Sequence, residues 1–243
     1  MAHQLSRHTT QTVKTHRAPQ ECGGRADESG DKTAEPSYES AELSGGTAVR
    51  CDTKLPKTGH LIILSGPSGA GKSTVVRELL ANCSLPIELA VSVTTRKQRT
   101  GEVAGRDYEF VSHAEFERMR QAGEFLECKE VFGRGDWYGT PLAQVEHGLK
   151  NGKWMLLEID VQGALSVMAQ RPDAVSFFVH PGSLEELSIR LRRRGTDDEQ
   201  AIQRRLEVAA EELQALKHYK HEVINRQVQL SASEICHTLH QYC

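Results

Sequence analysis

No apolar run in this 243-residue chain approaches the 18 or so residues needed to cross a bilayer, so no membrane span is expected. Charge of either sign is not in excess: 30 Lys and Arg stand against 33 Asp and Glu, for a formal net charge of −3. Whole-chain electrostatics therefore argue for neither nucleic acid nor a membrane surface as a partner. Six cysteines, at 22, 51, 83, 128, 236 and 243, include no C-x-x-C pair. Their spacing matches neither a zinc site nor a compact disulfide framework, and reduced thiols in a cytoplasmic enzyme are expected. No internal repeat is visible. Residues 1–57 contain no Ile, Phe or Trp and few Leu or Val, with Pro19, Pro36 and Pro56 as breakers. Such a segment cannot bury enough apolar surface to offset its ordering entropy, so a disordered N-terminal extension is expected. Met1–Arg17 is basic and free of acids but has no clear amphipathic Arg face. A solvated tail is favoured there over a transit peptide.

What is present is concentrated after residue 57. Gly66, Pro67, Ser68, Gly69, Ala70, Gly71, Lys72 and Ser73 spell G-x-x-x-x-G-K-S. They follow the apolar run Leu61–Leu64 and open onto a helical pattern from Thr74 to about Asn82. A strand before and a helix after is the context expected of a phosphate-binding loop. The glycines let successive N–H groups turn inward, and the helix start adds its own free N–H groups. Lys72 can reach the outer phosphates of a nucleotide, and the Ser73 hydroxyl can ligate Mg²⁺.

Strand and helix signals then alternate to the C-terminus. Ile87–Val93, Phe125–Val131, Trp154–Ile159 and Val175–Val179 read as strands. Ser112-x-x-Glu115, Ser183-x-x-Glu186 and Ser231-x-x-Glu234 read as capping boxes, and a long helix is expected from about Asp198 to Lys217. This rhythm predicts an α/β fold, a parallel sheet with helices on both faces. Residues of about 92–151 interrupt it as an inserted subdomain, and those of about 181–217 as a helical, mobile insertion. The core would comprise 58–91, 152–180 and 218–243.

Arg96 and Arg99 sit three residues apart just after a strand, and forked guanidiniums bind phosphate bidentately. Tyr108, Glu127 and Tyr138 taken singly read as packing or solvated positions. In order along the chain, however, the phosphate loop, S-x-T-T-R-x-x-R (92–99), G-x-D-Y-x-F (105–110), F-x-E (125–127), Y-G-T (138–140) and I-D-x-Q-G (159–163) form a set. With R-G-T at 194–196, Arg205 and Val-Ile-Asn at 223–225, this set resembles the guanylate kinase family from about His60 to Gln229. The loop between Gly133 and Trp137 is two residues longer than the family's common pattern.

The resemblance implies a P-loop NTPase-type sheet carrying a GMP-binding insertion and a lid. It also implies Mg²⁺-dependent transfer of a phosphoryl group from ATP to GMP, with dGMP as an expected second substrate. By position, Ser92, Glu127 and Thr140 would read the guanine. Arg96, Arg99, Tyr108 and Tyr138 would hold the GMP phosphate. Residues 66–73 with Thr74 and Asn225 would bind ATP. Lys72, Arg194 and Arg205 would act on the phosphates in transit, and Ser73 and Asp160 would hold the metal, the latter directly or through water. One competing expectation is a guanylate-kinase-like scaffold module without catalysis, against which the intact Lys72, Ser73, Arg96 and Arg99 argue; another is a related phosphate-loop kinase acting on another monophosphate or a ribose bisphosphate, against which Ser92 and Glu127 together argue.

Overall fold

The computed structural model of the chain describes residues 59–131, 135–195 and 198–243. The expected N-terminal extension and the first two residues of the 133–137 loop lie outside them.

Along the chain β1 (Leu61–Ser65) leads through the glycine-rich loop into α1 (Lys72–Asn82), followed by β2 (Ile87–Leu89), β3 (Val93–Thr94) and β4 (Glu109–Phe110). Next come α2 (His113–Gln121), β5 (Phe125–Val131), β6 (Asp136–Pro141) and α3 (Leu142–Lys150). The chain continues through β7 (Trp154–Glu158), α4 (Val161–Gln170), β8 (Val175–His180), α5 (Leu184–Arg194), α6 (Glu199–Leu213), β9 (His221–Ile224) and α7 (Val228–His240). The main sheet has five strands in the order β2-β7-β1-β8-β9, all pairs parallel.

The continuous apolar runs are the two-sided burial that a parallel sheet demands. Leu61, Ile62, Ile63 and Leu64 are all buried, and their side chains alternate between two cores. Ile62 and Leu64 pack with Val75, Leu79, Ile235 and Leu239 of α1 and α7. Leu61 and Ile63 pack with Val145, Val161, Ala164 and Val167 of α3 and α4. Ser112 and Ser183 cap α2 and α5 by accepting from the backbone N–H groups of Glu115 and Glu186, as the capping boxes predict.

A second sheet, of four strands in the order β4-β3-β6-β5, is built from residues 93–141. It separates what the sequence presents as one strand: Ile87–Leu89 pairs with β7 in the main sheet, while Val93–Thr94 pairs with β4 and β6. The apolar character of both pieces hides the crossing between sheets. α7 starts at Val228, three residues before the expected cap, and Ser231 is buried inside its first turns. The long helix expected to Lys217 ends at Leu213 and continues as a 3₁₀ turn over Gln214–His218. The cysteine reading is corrected outright. Cys83, just past the end of α1, is disulfide-bonded to Cys236 of α7 at a sequence separation of 153 residues. Spacing along a chain does not report a pair that only helix packing brings together. Among the described residues, Cys128 has a free sulfur, and no helix is long and apolar enough to cross a membrane.

Candidate active site

The loop after β1 is shaped by its glycines. Gly66 has φ +137°, and a Cβ there would stand 2.0 Å from the Val179 carbonyl oxygen of the adjacent strand. Gly71 is the N-cap of α1 in a left-handed conformation, and no side chain caps the helix. The first N–H groups of α1 are therefore left for an anion. Lys72 folds back over the loop and donates to the carbonyls of Gly66 at 2.6 Å and Pro67 at 3.0 Å. Burial pushes its pKa down, opposed by the negative charges of Glu158, Glu212 and Asp160.

The loop is braced by the residue that follows β9. Asn225, 2% exposed, donates from Nδ2 to the Ala70 carbonyl at 2.8 Å and accepts from the Ser231 hydroxyl at 3.3 Å. One amide N–H and one oxygen lone pair of this side chain are thereby engaged, and Asn225 braces the phosphate loop. Arg190 joins this brace, donating to the Asn225 carbonyl at 2.8 Å and to Glu186 at 2.8 Å. Arg205 reaches the loop from α6 and donates to the Ser68 hydroxyl at 2.8 Å. Leu187 and Leu191 of α5 lie against Gly69, where an added Cβ would meet them at 3.1 and 2.9 Å. The Arg194 side chain lies outside the described residues. Thr74 is exposed in the first turn of α1.

The acid placed against Ser73 is one the sequence reading missed. The Ser73 hydroxyl donates to Glu158 Oε1 at 2.5 Å, at the end of β7. Asp160, two residues on, accepts from the Gly163 N–H at 2.8 Å as the N-cap of α4, and Lys129 stands 3.6 Å from its other oxygen. The Ser73–Glu158 oxygen pair beside a phosphate loop suits a hard divalent cation, which takes oxygen ligands. The strand-end position was legible, but a two-residue offset between Glu158 and Asp160 can be settled only by where β7 stops.

The second sheet carries the remaining predicted residues. Thr140 donates from its hydroxyl to Glu127 Oε1 at 2.7 Å across the β5–β6 pair. Burial pushes the Glu127 carboxyl up, the Thr140 hydroxyl lowers it, and the nearby Asp160 charge raises it further. Gly163 of α4 makes room for this carboxylate: a Cβ there would lie 3.0 Å from Glu127 Oε2. Ser92 lies at the base of the same sheet, its carbonyl accepting from the Glu109 N–H at 2.9 Å.

Arg96 donates from Nε to the Tyr138 hydroxyl at 3.0 Å, and its guanidinium lies 5.3 Å from the Tyr108 ring centroid. The two tyrosine rings meet edge-on at 5.8 Å. Arg99 is exposed on the loop that follows. Tyr108 has its pKa raised by burial and by the charge of Glu158, so the acid beside Ser73 acts electrostatically on the arginine–tyrosine cluster. The structure thus gathers Arg96, Tyr108 and Tyr138 into one cluster and Glu127 and Thr140 into another. Glu158, against Ser73, and Glu102, the carboxylate paired with Arg96, are partners that the sequence reading did not name.

The lysine-bearing loop belongs to the main sheet, and the arginine–tyrosine cluster and the half-buried Glu127 carboxylate belong to the second sheet. The guanylate kinase family's sequence profile matches residues 58–242. Guanylate kinase of Rhodopirellula baltica is 55% identical over 184 residues, covering 74% of this chain and 87% of that one. Guanylate kinase of Streptococcus thermophilus is 45% identical over 181 residues, covering 74% and 86%. The crystal structure of guanylate kinase from Anaplasma phagocytophilum superposes with a TM-score of 0.62 at 38% identity, over 77% of this chain and 88% of that one. By sequence profile, by relatives and by fold, the chain belongs to the guanylate kinase family.

Proposed function

We propose that this chain transfers the γ-phosphoryl group of ATP to the phosphate of GMP, giving ADP and GDP, with dGMP as a second acceptor. The observation that carries the base choice is the half-buried Glu127 carboxylate held by Thr140. Guanine offers N1–H and N2–H donors side by side, which one carboxylate accepts together. Adenine has no N1 donor, so the carboxylate would be left without a partner, a cost of about 1–3 kcal/mol. Ser92 lies on the same sheet and is read here as a further guanine contact.

In this reading the loop N–H groups and Lys72 hold the ATP phosphates. Mg²⁺ would be held at Ser73 and Glu158 and would supply charge neutralisation on the phosphates. Arg96, Arg99, Tyr108 and Tyr138 hold the GMP phosphate, and its oxygen attacks in line. That oxygen is already anionic, so no side-chain base is required. Arg205, and Arg194 by its place in the sequence, close over the transferring group and exclude water. The α5–α6 pair is the lid and residues 92–151 the acceptor-binding insertion, ahead of which 1–57 forms an extension. We place the enzyme in the cytoplasm.

A coupled ADP-release assay across GMP, dGMP, AMP, CMP and UMP tests the substrate, with turnover expected on the guanine nucleotides alone. Lys72→Ala should lower kcat by about 10²–10³-fold, the scale of losing one preorganised charge contact to the transition state. Near-normal turnover in that variant would remove the phosphate-loop mechanism.

A further inference from the structure

Arg96 is more tightly held than a phosphate ligand waiting for its substrate needs to be. Its side chain is 10% exposed, and it forms a two-pronged pair with Glu102: Nη2 to Oε1 at 2.8 Å and Nη1 to Oε2 at 3.1 Å. Nη1 also donates to the Lys97 carbonyl at 2.7 Å, and Nε to the Tyr138 hydroxyl at 3.0 Å. A guanidinium has five N–H groups. Nε–H, both Nη1–H and one Nη2–H are engaged, which leaves a single Nη2–H. The same carboxylate accepts the Arg99 backbone N–H at 2.8 Å, so Glu102 bonds both arginine-bearing residues of the loop. Its backbone carbonyl accepts from the Gln98 side chain at 2.6 Å, closing the turn.

We propose that Glu102 is a positioning residue for acceptor binding, fixing Arg96 and the Arg99 backbone in the geometry that receives the GMP phosphate. This rests on the GMP kinase reading above and adds to it a residue that does not itself touch the nucleotide. The physical reason is desolvation. A guanidinium this buried, lying over the Tyr108 and Phe110 rings, has little water to hold it, and without Glu102 only its bonds to Lys97 and Tyr138 would resist a turn toward solvent. With Glu102 in place the fork is held before substrate arrives, so less side-chain entropy is lost on binding. Arg99, exposed and held to Glu102 through its backbone N–H, supplies the charge that Arg96 shares with Glu102.

The test compares the full-length chain with Glu102→Gln and Glu102→Ala. KM for GMP should rise about tenfold in Glu102→Ala and less in Glu102→Gln, which keeps one acceptor, while kcat and KM for ATP shift less than about twofold. The inhibition constant of guanosine, which has no phosphate, should be unchanged, since Glu127 and Thr140 are untouched. A guanosine constant that weakens alongside GMP would assign Glu102 a merely structural role and overturn the proposal. An unchanged KM for GMP would overturn it, as would a lower one, which would make Glu102 a competitor of the phosphate. Failure of the unaltered chain to phosphorylate GMP would instead strike the functional reading on which the proposal rests.

Discussion

Glu127 shows what a half-buried carboxyl costs the fold, and under the proposed function what it returns in recognition. Its folded pKa lies above the ordinary carboxylate value, because burial penalises the charge more than the Thr140 hydroxyl relieves it. A carboxyl with a raised folded pKa binds protons more tightly folded than unfolded. Stability is therefore lost as pH rises from the ordinary carboxylate range through the raised value, and stays lost above it. Gln at this position keeps the acceptor for Thr140 and has no charge to desolvate. Glu127→Gln should be more stable at neutral pH, by on the order of 1 kcal/mol, and bind GMP more weakly by about 1–3 kcal/mol. In the unaltered chain KM for GMP should rise on acidification, beginning above the ordinary carboxylate range, and the variant should lack that limb. Thermal melts and GMP kinetics across the same pH series check both signs. A destabilised variant with unchanged GMP kinetics would contradict the assignment.

At the level of elements, α1 is tied at both ends. Its N-terminus carries the loop lysine, and its C-terminal end is bonded through Cys83 to Cys236 of α7, whose Cα lies 5.7 Å away. α7 is in turn coupled to the loop, since its Ser231 hydroxyl donates to Asn225, which holds the Ala70 carbonyl. A cross-link spanning 153 residues removes much loop-closure entropy from the unfolded chain. Reduction by dithiothreitol, or Cys83→Ser, should cost about 2–4 kcal/mol and lower Tm by several degrees. Kinetic constants at 25 °C should hold, because an 11-residue helix keeps the disulfide roughly 16 Å from Lys72. Matching melting curves with and without reductant would show that the bond contributes nothing to stability. Helix starts and caps at Ser112 and Ser183 were legible because a cap is a contact three residues long. The start of α7 was not: Ser231 has the sequence of a cap, but its hydroxyl is claimed by a residue from β9's end.

For the whole molecule, the phosphate loop hangs from the five-stranded sheet and the arginine–tyrosine cluster from the four-stranded one. Under the proposed mechanism the phosphoryl group crosses from one to the other, so both must close on the reacting pair. A bisubstrate analogue joining adenosine to guanosine through phosphates should lower the radius of gyration in X-ray scattering more than either ATP or GMP alone. An unchanged radius with the analogue bound would argue that the two sites are already in register. The α/β class and the phosphate loop follow from the sequence alone, because burial patterns, glycine positions and helix starts act over a few neighbouring residues. So does the order of the acceptor motifs. Folding in three dimensions decided the rest. It placed Glu158 rather than Asp160 against Ser73, turned Asn225 into a brace and split Ile87–Thr94 between two sheets. It also brought Glu102 onto Arg96 and Cys83 onto Cys236. Each of these depends on which groups meet across a gap in the chain or at an element's end, and desolvation, not local propensity, selects those partners.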